Sequence, residues 1–222
     1  DNTIKLVNKD EEAPKEFYIF QDFDSSIYDR INGNNYSLSH KMLSTAFKHC
    51  LTKQDFTSYK EGDIDYLPFI RADMSNVCKP STFIQKTINY YDIEHNLEWY
   101  RRNNFKKYPS RFSSIFAFGD YESCKKVSQK YNSWSLSSVR KFRLFEDIKY
   151  LKEFVRIGKF NMEIVSLLRG VEISLFSRED QEILYKRYWE GKGNTSIEFL
   201  GEKSESGEIY EYLIEGMLEE VL

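Results

Sequence analysis

The chain is short of cysteine, holding three in 222 residues. Cys50, Cys78 and Cys124 are odd in number and widely spaced, with no CxxC and no histidine at metal-ligand spacing. A disulfide framework and a zinc site are therefore excluded as organising features, and the thiols are expected to be reduced, in a cytoplasmic protein. Long apolar runs are also missing. None approaches the roughly 18–20 residues that cross a bilayer, so no membrane partner is expected. The first residues, DNTIKLVNKDEEAPKEF, are polar and acidic, without the basic start and apolar centre of a signal peptide. An excess of charge of one sign is nearly absent, since the formal net charge is −3, which argues against general nucleic-acid affinity but leaves local basic patches open. The GxxxxGK[ST] spacing of a phosphate loop is absent around Gly191-Lys192-Gly193. His40, His49 and His95 lack metal spacing, and Asp63 with Asp65 is a weak cation signal. No internal repeat or low-complexity linker divides the chain.

What is present is aromatic. Tyr and Phe number 16 and 17, aromatics make up 16% of the chain, and 41% of residues are hydrophobic. So many rings must fill a core or line pockets. The length suits one domain, read as 16–222 after a loose tail at 1–15.

Patterns along the chain predict α+β elements, with helices inserted among short strands. Glu16–Phe23 (EFYIFQDF) reads as a strand and Asn32–Asn35 as a turn. Ser39–Leu51 carries Met42, Leu43, Ala46, Phe47 and Cys50 at helical spacing, with Ser39 as candidate N-cap. Lys53–Lys79 reads as loop with short strands. Pro80–Tyr91 and Asp92–Lys107 read as two helices or one broken helix. Ser113–Phe118 is a buried strand, Asp120–Tyr131 a short helix, and Val139–Leu144 an alternating strand. Phe145–Trp189 reads as helical, Ile197–Leu200 as a strand, and Glu208–Leu222 as a final strand or amphipathic element.

Four constellations carry candidate chemistry, each with a plainer reading. Glu198, alone in Ile197-Glu198-Phe199-Leu200, could sit in a pocket and stabilise developing positive charge, or be an ordinary outward acid on an edge strand. Arg111, after Tyr108-Pro109-Ser110, could fork onto a pyrophosphate or a carboxylate, or could close a helix end or pair with a surface acid. Arg101, Arg102, Lys106 and Lys107, interleaved with Trp99, Tyr100 and Phe105, could contact nucleic acid, or be a solvated helix end. Trp189 could stack on a flat ring, or be core.

Taken in order, these segments resemble the diphtheria-toxin-like ADP-ribosyltransferase superfamily, in particular a bacterial and phage branch with toxin–antitoxin, phage-defence and anti-CRISPR members. The resemblance rests on Phe17-Tyr18-Ile19-Phe20, on Glu98–Arg101 leading through Phe105 to Pro109-Ser110-Arg111 and Ser114-Ile115-Phe116, on Tyr188-Trp189-Glu190-Gly191, and on Glu198-Phe199-Leu200. It covers residues 17 to about 200.

The resemblance implies a split mixed β-sheet core holding NAD as co-substrate in a cleft. Glu198 would be the catalytic glutamate, and Ser110, Ser113, Ser114, Phe116 and Trp189 would border the cleft, with Arg111 near the diphosphate or the target. A macromolecular acceptor, protein or nucleic acid, and a neutralising partner protein would follow. Ile19 stands where the family carries a histidine beside Tyr18. Either Gln21 takes over its hydrogen bond, or the register shifts by a residue, or tight NAD binding is lost. A catalytically inactive relative that binds a partner, and a nucleic-acid module using residues 99–111, are the alternatives.

Overall fold

The computed structural model describes residues 3–21, 41–64, 91–147, 149–170, 177–199 and 201–222. The Asn32–Asn35 turn, Ser39, His40, Asp65, Cys78, the helix expected from Pro80 as far as residue 90, and Leu200 lie outside them.

The protein is α+β. Every strand pairing among the described residues is antiparallel, where a mixed sheet was expected. The first sheet runs in the order β1 (Glu16–Phe20), β4 (Val139–Leu144), β9 (Met217–Glu220) and β2 (Lys41–Leu43). The second is β3 (Ile115–Ala117), β8 (Tyr210–Glu215) and β5 (Arg156–Asn161), and β6 (Ser196–Phe199) with β7 (Glu202–Glu205) forms a separate hairpin.

Period-two alternation decides which face of each sheet is buried. Phe17, Ile19, Met42, Phe142 and Leu218 of the first sheet pack against Ile115, Ala117, Ile157, Tyr212 and Ile214 of the second. Each such side chain contributes about 1.5–3 kcal/mol through area removed from water. Only Gly216 separates β8 from β9, so one stretch of chain passes from sheet to sheet there, tied by a bond from its N–H to Ser44 Oγ of 3.0 Å.

Helices cover the other face of the second sheet. From α3 (Tyr91–Asn104), α6 (Met162–Gly170) and α7 (Arg178–Trp189), the side chains of Leu97, Ile164, Leu168, Leu184, Tyr188 and Trp189 close on Phe160 and Leu213. A smaller core gathers Phe47 of α1 (Thr45–His49) with Phe56 and Tyr59 of α2 (Lys53–Glu61). Another sets Cys124 and Val127 of α4 (Tyr121–Lys130) against Phe20 and Phe118. Asp120 caps α4 by accepting from Ser123 N–H at 2.7 Å. The short α5 (Lys149–Lys152) leads into β5.

Several expectations need correction. Residues 53–61 are helical rather than loop: Thr52 and Asp55 form a reciprocal capping box, and Gly62 closes the helix at φ +80°. Within 39–51, Lys41–Leu43 is strand and the helix begins after Ser44. The 145–189 stretch is interrupted by β5, whose side chains are nearly all buried on both faces, so no alternation marks it as a strand. A Cβ at Gly158 within it would lie 2.5 Å from the Phe160 ring, so only glycine fits there. Ser113 and Ser114 lie in a turn before β3, with Ser114 N–H donating to Ser110 O at 3.0 Å. The N-terminal residues are not loose: Leu6 is buried, Val7 N–H donates to Ile157 O at 2.9 Å, and Asn8 exchanges bonds with the Lys159 backbone. They cover the open edge of β5.

Candidate functional site

Where the two sheets meet, β1 and β3 touch through one antiparallel bridge, Tyr18 to Phe118. On their other edges β1 pairs with β4 and β3 with β8, so the contact between β1 and β3 is confined to this bridge. Continuing the register past the bridge would set Gln21 opposite Ile115. Ile19 is 1% exposed and turned into the sheet–sheet core, which removes it as a ligand contact. Tyr18, on the other face, is half-buried, 6.1 Å from the Tyr121 ring, with Lys141 5.7 Å from its centre.

This neighbourhood holds an unusual share of orphaned polar atoms. Buried donors and acceptors are nearly always paired, and each exception calls for an explanation. Gln21 Nε2, Ser114 Oγ and Thr45 Oγ1 are buried without a hydrogen-bond partner. Gln21 follows β1 and Ser114 precedes β3, and Thr45 is bound to the same turn, its N–H donating to Ser113 O at 3.0 Å. Amide and hydroxyl groups left unsatisfied are donors and acceptors that a ligand could pair.

Arg111 is elsewhere. Its guanidinium is buried and faces the helix layer. It donates from Nε and Nη2 to both oxygens of Glu94 (2.6 and 2.9 Å) and from Nη1 to Tyr188 Oη and Glu211 Oε1 (both 2.5 Å). Tyr188 Oη also donates to Glu211 Oε1 at 2.8 Å. Burial alone would lower the Arg111 pKa, but Glu94, then Tyr188 and Glu211, hold it well above its ordinary value. Burial, aided by Glu211 and opposed by Arg111, pushes the Tyr188 phenol well up. The arginine expected near a diphosphate is instead a strut joining α3, α7 and β8.

Ser110 and Ser113 serve a second buried cluster. Ser110 N–H and Ser113 Oγ donate to Glu215 Oε1 (3.0 and 2.8 Å), and Arg156 donates from Nε and Nη2 to Oε2 (2.9 and 2.5 Å). The Arg156 guanidinium lies 4.4 Å from the Tyr59 ring. Glu98 and Arg101 form a third, the arginine also accepted by the carbonyls of Lys106 and Tyr108 where α3 ends.

Trp189 is fully buried and donates to Leu97 O at 2.9 Å, so it is core rather than a ligand platform. Phe116 is half-buried, with the Arg111 guanidinium 5.0 Å from its ring. Glu198 is exposed, on the hairpin, opposite Lys203. It is not brought to β3 by any strand pairing.

The sequence reading missed Glu211 and Glu215. In YEYLIE they sit at period two on one face of a buried apolar strand, a pattern that demands cationic partners. Both bonds that Glu211 accepts end on Oε1, so Oε2 is the oxygen not committed to Arg111 or Tyr188. No curated protein matches the chain. A family model described as a protein of unknown function (DUF2441) matches residues 6–219.

Proposed function

The chain belongs to the DUF2441 family, and we propose that it is an NAD-dependent mono-ADP-ribosyltransferase acting on a macromolecular acceptor. NAD would lie beside the single bridge that joins β1 and β3. The observation that carries this is the set of orphaned atoms, Gln21 Nε2 after β1, Ser114 Oγ before β3 and Thr45 Oγ1 on the helix bonded to Ser113. It is supported by the bridge from Tyr18 to Phe118, which brings β1 against the end of β3, two of the segments on which the sequence resemblance rests.

In this reading Gln21 and Ser114 hydrogen-bond the co-substrate's amide or ribose hydroxyls, and Tyr18 and Phe116 flank it with ring faces. Bound NAD would supply a ribose whose bond to a cationic nicotinamide leaving group can be broken. A carboxylate beside that ribose would lower the cost of positive charge developing there. Glu198, on its exposed hairpin, is poorly held for this. Glu211 is the alternative to be tested: it sits on β8, the strand bonded to β3, on the helix-covered face beside Arg111, with one oxygen clamped and the other not committed to Arg111 or Tyr188.

The test is NAD consumption and label transfer to protein or nucleic acid in a lysate, for the wild type, Glu211→Gln and Glu198→Gln, with circular dichroism as fold control. A loss of about 100-fold or more in Glu211→Gln alone, on the scale of removing one electrostatic stabiliser, supports the assignment. The same loss confined to Glu198→Gln returns the role to the hairpin acid. No NAD turnover by the wild type sinks the transferase reading, and NAD-dependent thermal stabilisation without turnover leaves a binding protein.

A further inference from the structure

The N-terminal residues that cover the β5 edge form a small hairpin of their own. Leu6 N–H donates to Glu11 O at 2.9 Å and Ala13 N–H to Ile4 O at 2.8 Å, on either side of the Lys5–Glu12 bridge. These bonds involve no other part of the chain. Pro14 and Lys15 join the hairpin to β1. Its tip meets β5 through Val7, whose N–H donates to Ile157 O at 2.9 Å, and through the side chain of Asn8. Asn8 Nδ2 donates to Lys159 O at 2.7 Å, and Asn8 Oδ1 accepts from Lys159 N–H at 3.0 Å. One amide side chain thus pairs with both backbone groups of an edge residue, as a neighbouring strand would. Glu11 adds an ion pair to Lys159 at 3.4 Å, and Leu6 is the apolar anchor in the sheet–sheet core.

Gly191, at the corner after α7, completes the seat of this side chain. Its φ is +65°, and a Cβ there would come within 2.5 Å of Asn8 Nδ2 and 2.8 Å of Lys159 O. The space that a side chain at 191 would take is filled by the Asn8 amide. Glycine is therefore required both by the backbone of the corner and by the docked hairpin. The corner has a bond of its own, from Gly191 N–H to Tyr188 O at 2.9 Å, which does not depend on Asn8.

We propose that residues 4–13 are a latched strap, which opens and closes as one unit while both sheets stay folded, with Asn8 as the latch and Gly191 as its seat. A hairpin that keeps its own bonds, and whose tip is held largely by one side chain, is suited to detach in a partial opening of the fold. Closed, the strap satisfies the outer edge of β5. Open, it bares Ile157 O and both backbone groups of Lys159, the kind of row on which a further strand can pair. The inference stands apart from the transferase reading, since it uses none of the residues placed beside the β1–β3 bridge.

The experiment is native-state hydrogen exchange on the whole chain, for the wild type, Asn8→Ala and Gly191→Ala. It is read at the Val7 and Lys159 amides, with those of Leu213 and Ile214 in the central strand β8 as reference. In the wild type, Val7 and Lys159 are expected to share one protection factor, about tenfold or more below that of the reference amides. Asn8→Ala should speed exchange at Val7 by about a further tenfold, the scale of one or two lost hydrogen bonds, although Val7 keeps its own acceptor. Gly191→Ala should speed both strap-linked amides, and neither variant should move the β8 rates. Wild-type protection at Val7 and Lys159 equal to that of β8 would mean that the strap opens only when the whole fold does, which overturns the proposal. So does a Val7 rate that Asn8→Ala leaves unchanged, or one that rises only in step with β8. Should Gly191→Ala not fold, the wild type and Asn8→Ala decide the question between them.

Discussion

Tyr18 and Phe118 exchange two backbone hydrogen bonds, Tyr18 N–H to Phe118 O at 2.8 Å and Phe118 N–H to Tyr18 O at 2.9 Å. This pair is the isolated bridge by which β1 touches β3, while on its other edge β1 is paired along five residues with β4. Because N–H groups alternate in direction along a strand, those of Phe17 and Ile19 face β4 and that of Tyr18 faces the bridge. A bridge without a ladder opens by local fluctuation far more readily than a continuous strand pair. Hydrogen exchange should find the Tyr18 and Phe118 amides exchanging together, and faster than those of Phe17 and Ile19. Equal protection of all four would mean that the sheets do not part there.

Ser114 tests whether the orphaned atoms mark a binding site. A buried polar group without a partner costs on the order of 1–3 kcal/mol, and its hydroxyl is the part that serves no contact in the folded chain. Ser114→Ala should therefore stabilise the free protein by about 1 kcal/mol, raising the melting temperature by about 2–4 °C for a chain of this size. The same change should reduce the further stabilisation produced by added NAD. Thermal melts with and without NAD decide it. A variant that is less stable without NAD would mean that the hydroxyl already has a structural role.

The fold was legible in the sequence wherever one face of an element is wet. β1 keeps the run of aromatic and β-branched residues that announced it, β4 the alternation of Val139–Leu144, and α4 falls inside the helix read over Asp120–Tyr131. β5 was not legible, because burial on both faces erases period two. The capping box Thr52–Asp55 was a sufficient signal for α2 but went unread amid polar residues. At the candidate site, chemistry was read from residue type, and residue type does not fix direction. Arg111 and Trp189 have groups suited to a ligand, yet both point into the helix-covered core, where Glu94 and Leu97 O meet them. Glu211 was passed over because a carboxylate in an apolar strand shows its purpose only once Arg111, 100 residues away in sequence, is seen beside it.

Arg111 holds two buried carboxylates, and its removal would leave both without their main cation. Arg111→Met keeps an unbranched apolar stem but not the guanidinium, and should destabilise the protein by about 3–5 kcal/mol. Arg169, which reaches Glu94 Oε1 at 3.0 Å, moderates this on one side only. Combining Arg111→Met with Glu94→Leu should recover part of the loss, since an apolar pair then replaces an uncompensated charge. Urea midpoints of the single and double variants measure the coupling. Additive losses would show that Arg111 and Glu94 do not act as a unit.

Tyr212 sets the alkaline limit of the fold. Its ring lies in the sheet–sheet core, 5.7 Å edge-on from Phe17 and so close to Gly119 that a Cβ there would come within 2.7 Å of it. Burial, with the nearby charges of Glu11 and Asp120, pushes its phenol up to about 12. In the unfolded chain the phenol ionises near 10, so above that pH the unfolded state sheds a proton that the folded state keeps. Stability is therefore intact below pH 10 and falls as pH rises toward 12, by about 2–3 kcal/mol from this residue. Tyr59 and Tyr188, both raised chiefly by burial, act in the same direction. Tyr212→Phe should make the decline between pH 10 and 12 shallower without abolishing it, as read from urea midpoints across that range. A decline of unchanged steepness in Tyr212→Phe would mean that the ring is solvated in the folded state, and that the two sheets do not close over it.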